Sequence, residues 1–107
     1  MQLDLIAYAE QRRDHGIQRA VDHAEREQEG WTDFAMSLLR FYASRQSEPF
    51  LAEQFVEHCT GLIALPPDGR AWGGVFKRAA RLGIIRRVGY APAKSSNCSI
   101  KPTWEAA

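Results

Sequence analysis

Helical spacing dominates the first eighty residues. In LDLIAYAEQR, residues 3–12, Leu3, Ile6 and Ala7, with Ala9 or Glu10, fall at helical intervals and predict a short amphipathic helix. Asp14 stands where it can cap a second stretch, GIQRAVDHAEREQ, in which Ile17, Ala20, Val21 and Ala24 share one face. Gly16 leaves open whether these are two helices or one. The stripe is rich in alanine and poor in large apolar groups, so it needs a partner surface. The rest of the domain or a second copy of the chain would serve.

Gly30-Trp31-Thr32 is a sharper start signal. Thr32 is the expected cap of the next helix, Asp33 suits its first turn, and Trp31 is placed to staple onto Met36. In DFAMSLLRFYASRQ the core stripe is Phe34, Ala35, Leu38, Leu39 and Tyr42. Ser47-Glu48-Pro49 ends this helix, because proline lacks a donor and disfavours helix in the residue before it. Pro49-Phe50-Leu51 reads as short and extended. The helix AEQFVEHC follows, with Phe55 and Val56 inward and Glu53, Glu57 and His58 outward. After the loop TGLIALPPD, Asp68 is the expected cap of GRAWGGVFKRAARL, which stops at Gly83. The period then changes. Residues 84–90, IIRRVGY, read as a strand, APAKSSNC as a turn and SIKPTW as the returning strand, with Pro102 favouring an edge position.

The order helix, extended piece, helix, turn, helix, hairpin is that of a winged helix-turn-helix. The fold expected is therefore α+β and mainly helical: a three-helix core with a β-hairpin wing over residues 31–107, preceded by a helical extension over residues 1–30. At 107 residues and 45% apolar composition, one domain with its own core is all the chain has room for.

Net charge is only +1, but it is unevenly spread. Residues 1–60 hold six Arg against eleven Asp and Glu, net −5, and residues 61–107 hold five Arg and three Lys against two acids, net +6. Such asymmetry points to an anion-binding portion, unless the two halves neutralise each other across an internal interface. The third core helix sharpens the first reading. Trp72, Val75, Phe76, Ala79 and Leu82 line one face, while Arg70, Lys77, Arg78 and Arg81 lie on the rest with no acid after Asp68. A solvated helix ordinarily interleaves Glu with Lys and Arg. Arginine suits bidentate contact with guanine edges or phosphate, and lysine suits phosphate. The expected DNA-binding residues are Arg70, Lys77, Arg78 and Arg81 on the helix, with Arg87 and Lys94 on the wing. Arg86 and Arg87 point to opposite strand faces, so one of them is expected at the ligand. Lys94 stands beside Ser95, Ser96 and Asn97 at the hairpin tip. Gly73 and Gly74 each cost about 1 kcal/mol in a helix interior, which close helix packing or a close DNA backbone would explain.

Other chemistry is thin. His58 and Cys59 are adjacent with no spaced partners for zinc, and no Cys–His or Ser–His–Asp signature is present. Trp72-Gly73-Gly74 lacks the spacing and the Lys-Ser/Thr ending of a phosphate loop. The expectation is a protein that is not an enzyme and needs no metal and no cofactor. Two cysteines outside any CxxC pair read as reduced thiols. No apolar run reaches the ~20 residues of a membrane span, and the first residues do not resemble a secretory signal.

The run PPDGRAWGGVFKRAARLGIIRRVGY, residues 66–90, followed by a polar turn and KPTW, resembles small winged-helix proteins encoded by phages and prophages in replication or early-gene regions. The resemblance covers mainly residues 31–104. It implies a cytoplasmic setting in a bacterium or a phage-infected cell. The expected function is binding of duplex DNA in replication or transcription, with the N-terminal helices pairing two copies. The rival expectation is a winged-helix module that docks on a host or phage replication, transcription or defence factor.

Overall fold

In a computed structural model, residues 2–94 and 97–107 are described, with side chains from residue 5 onward. The expected roles of Leu3 in the first stripe and of Ser95 and Ser96 at the hairpin tip lie outside the described residues. Among those described, the chain forms four helices and one three-stranded antiparallel sheet, an α+β arrangement. The elements are α1 (Gln2–Glu27), α2 (Trp31–Arg45), β1 (Phe50–Leu51), α3 (Ala52–His58), α4 (Ala71–Arg81), β2 (Ile85–Ala93) and β3 (Ser99–Ala106).

Helix α1 is continuous through Gly16. Ala20 and Ala24 are buried in the same cluster as the rest of the core, with Val21 packed against it. The connection to α2 turns at Gly30, whose φ of 81° is the left-handed region that glycine reaches without strain. Thr32 does not cap α2 as the sequence predicts. The Glu25 carboxylate, from the last turns of α1, accepts the Thr32 N–H at 2.7 Å and the Gly30 N–H at 3.3 Å. These backbone hydrogen bonds, that of Thr32 foremost, hold the Glu25 carboxyl below the usual carboxylate range. A side chain from another helix thus satisfies donors that α2 leaves unpaired.

Trp31 fills the centre. Its indole N–H donates to the Ala64 carbonyl at 2.8 Å, and its ring meets Trp72 edge-on at 5.0 Å. Phe55 stands edge-on to Trp72 and Phe76. On α2 the buried arc centres on Ala35 and Leu39 and takes in Met36 and Ala43. Phe34, expected in the core, lies at the margin of that arc and is exposed.

Helix α4 begins at Ala71, three residues after Asp68. Asp68 organises the preceding turn instead of capping the helix: its Oδ1 accepts the Arg70 N–H at 2.9 Å. The helix ends in a Schellman motif. Ile84 N–H donates to the Ala79 carbonyl and Gly83 N–H to the Ala80 carbonyl, with Gly83 at φ 76°. Leu82, expected on the core stripe, is the C-cap and is exposed, because the chain has already turned away.

Strand β3 is the middle strand, between β1 and β2. The strand β2 runs to Ala93, so Ala91-Pro92-Ala93 belongs to the ladder rather than to the turn. The turn itself uses Asn97 and Cys98 at positive φ, with Cys98 N–H donating to the Ala93 carbonyl. Pro102 is on the middle strand, yet β1 pairs only with Thr103 and Trp104. Among the described residues one side of β3 therefore has no strand neighbour at Pro102, which is the edge environment that proline requires. A register shift falls between Arg87 and Gly89.

Candidate functional site

Packing of α1 on α4 decides which cations face solvent. Trp72, Val75, Phe76 and Ala79 turn α4 inward, which leaves Gly73, Gly74 and Lys77 on the opposite side. That side receives α1. A Cβ at Gly74 would stand 2.5 Å from the Val21 Cγ2, and one at Gly73 would stand 3.6 Å from the Ile17 Cδ1. Close approach to α1 is thus the physical reason for Gly74. Around this seam the charges are paired. Lys77 Nζ lies 3.1 Å from Asp14 Oδ1, and this hydrogen bond holds the Asp14 carboxyl below its ordinary value. Arg70 clasps Asp68, Nη2 to Oδ2 at 2.6 Å, and pulls that carboxyl down to about 2. Arg78 approaches Asp33 of α2 at 3.7 Å, a longer and more exposed contact.

A second set of cations is arranged differently. Arg86 is held by Glu105 across the hairpin, Nη2 to Oε2 at 2.5 Å. Arg87, its neighbour, points the other way, with its guanidinium 5.8 Å from the centroid of the Tyr90 ring. Arg81 lies in the last turn of α4, Lys94 follows β2, and Lys101 sits opposite Ala91 on β3. All three are exposed. Among the described residues no salt bridge reaches Arg81, Arg87, Lys94 or Lys101.

The six sequence-predicted residues therefore fall into two groups. Arg70, Lys77 and Arg78 each have a carboxylate partner, two of them at or beside α4's contact with its neighbouring helices. Arg81, Arg87 and Lys94 do not. Lys101 joins the second group although the sequence pattern did not single it out; its position in a returning strand opposite a basic one was the available signal. Arg13 was also missed, since only the docking of α1 shows where it points.

Between α1, α4 and the sheet lies a groove of about 610 Å³. Its apolar lining includes Ile17, Trp72, Phe76 and Trp104, and Arg13, Lys77, Arg87 and Lys101 stand around it with Asp14 and Glu53. Phe76 and Trp104 are tilted against each other in its wall, with ring centroids 5.5 Å apart.

Elsewhere, burial pushes the Cys59 thiol up to about 11, away from the thiolate that nucleophilic chemistry needs. Among the described residues no three His, Cys, Asp or Glu side chains cluster as a metal site, and no helix is long and apolar enough to cross a membrane. No family model, no curated protein and no solved structure matches the chain.

Proposed function

We propose that this chain is a winged-helix module that binds nucleic acid, duplex DNA first, through its hairpin and the C-terminal end of α4. The order α2, β1, α3, α4, β2, β3, with β1 paired to β3, supports the winged-helix reading. The observation that carries the ligand is a set of exposed cations spread from the last turn of α4 along the hairpin that, among the described residues, have no salt-bridge partner: Arg81, Arg87, Lys94 and Lys101. Phosphates would be met by these side chains, and Arg87 with Tyr90 offers a guanidinium and a ring side by side. Insertion of α4 broadside into a major groove, the usual winged-helix mode, is disfavoured by α1, which packs on Gly74 and pairs Lys77. The resemblance to phage and prophage proteins fits a role in replication or transcription.

That same cover favours a second reading, in which the module docks on a replication, transcription or defence protein. Fluorescence anisotropy of labelled duplex and single-stranded DNA at two salt concentrations separates the two. Nucleic-acid binding predicts affinity that falls steeply with salt. Absence of binding at low salt overturns it and leaves the protein partner.

A further inference from the structure

We propose that the groove between α4 and the hairpin receives the N-terminal arm of α1 from a second copy of this chain, and that the two copies exchange arms reciprocally. The inference does not depend on the nucleic-acid reading, although a seated arm shares Arg87 and Lys101 with it and leaves only Arg81 and Lys94 of that set free of the groove.

Four observations lead to it. First, α1 outruns its own support. From Leu5 to Arg13 every residue is exposed, whereas Ala20 and Ala24 are buried. Second, the arm is not a polar helix. Leu5 is 71% exposed, Ile6 61% and Tyr8 59%, three large apolar side chains within four residues of one another. Clustered exposed apolar groups of this kind mark a surface that is covered in the working assembly. Third, the charges are complementary. Residues 2–10, QLDLIAYAE, hold two carboxylates and no cation, and the groove has an apolar floor with Arg13, Lys77, Arg87 and Lys101 around it against Asp14 and Glu53. Cations therefore remain in excess there, Arg87 and Lys101 without a salt bridge among the described residues. Fourth, the arm leaves the domain at the groove itself: Arg13 and Asp14, at the foot of the arm, line it. A two-fold axis passing beside that foot sends each arm across the axis into the other groove. The contact is then isologous and closes at two copies, as most stable homo-oligomers do.

The side chains suit each other. The groove lines its aromatic floor with aliphatic groups (Ile17, Ala80, Pro102), against which leucine and isoleucine side chains pack. An arm seated there faces Arg87 and Lys101 but leaves Arg81 and Lys94, which are not part of the groove, outside. Two hairpins then sit on one rigid dimer, an arrangement suited to two half-sites on one duplex.

Sedimentation equilibrium of the protein alone tests this. The full chain is expected to be a dimer. An arm variant, Leu5→Asp with Ile6→Asp, and a groove variant, Ala80→Glu, should each raise the dissociation constant roughly tenfold or more. Far-UV circular dichroism and thermal melting establish that each is folded, and Lys101→Glu at the exposed rim serves as the groove variant if Ala80→Glu is not. An equimolar mixture of arm and groove variants keeps one intact arm and one intact groove, and should associate more tightly than either variant alone. A full chain that stays monomeric at its highest soluble concentration overturns the proposal. So does an arm variant that is monomeric while both groove variants dimerise normally, because the arms would then be pairing with each other.

Discussion

Gly74 of α4 and Val21 of α1 meet so closely that a single methyl group cannot be added between them: a Cβ on Gly74 would lie 2.5 Å from the Val21 Cγ2. Its neighbour Gly73 has room, with 3.6 Å to the nearest Ile17 carbon. Two adjacent glycines in one helix therefore carry opposite expectations. Gly73→Ala should stabilise the fold by about 0.5–1 kcal/mol through helix propensity alone. Gly74→Ala gains the same propensity, but the valine side chain is stiff in a helix, so α1 must shift, and the net effect should be a loss of about 1–2 kcal/mol. Urea unfolding of both variants measures the sign, and Val21→Ala should relieve most of the Gly74→Ala loss.

Asp68 links stability to acid. Its carboxyl sits at about 2 in the folded chain against an ordinary value of 3.8, first because Arg70 donates to it. A depressed folded value means stability that is present above the unfolded value and is lost as pH falls toward the folded one, here between about pH 4 and pH 2. Asp14, lowered by Lys77, acts in the same direction. Denaturant midpoints followed from about pH 5 to about pH 2 should fall less steeply in Asp68→Asn than in the parent chain, and the difference should shrink at high salt, as expected for exposed partners.

The thiols should separate by exposure. Cys98 is exposed and Cys59 is fully buried, with its thiol pushed up to about 11. A chromogenic disulfide reagent at mildly alkaline pH should titrate Cys98 promptly in the native protein and Cys59 only on unfolding. Rapid reaction of both would contradict the packing of Cys59 in the core.

How far the sequence shows this structure depends on how local the signals are. The α4–hairpin unit is legible because Trp72, Val75, Phe76 and Ala79 keep one helical face and Gly83 stops it; the Schellman bonds at Ala79 and Ala80 form there. Cap chemistry was less legible. The α2 donors are taken by Glu25, several residues back on another helix, while Thr32 looked sufficient by position. The destination of α1 was hidden altogether. An alanine-rich stripe fits any smooth surface, and the Asp14–Lys77 pair joins two distant parts of the chain with nothing local to announce it. Among the described residues the basic half and the acidic half pair only through α4, Lys77 with Asp14 of α1 and Arg78 with Asp33 of α2. On the hairpin Arg86 is held by Glu105, and Arg87, Lys94 and Lys101 are left over.

Those left-over cations carry the central claim, and charge reversal at the two sets is its most direct test. Anisotropy titrations with one labelled duplex at low salt should compare Arg87→Glu/Lys94→Glu with Lys77→Glu/Arg78→Glu. The hairpin pair should weaken binding roughly tenfold or more and flatten the salt dependence by about two phosphate contacts, while the α4 pair, already engaged with Asp14 and Asp33, should change it far less. The reverse ranking would mean that α1 swings aside and α4 reads the groove, and would contradict the assignment of the hairpin as the binding face.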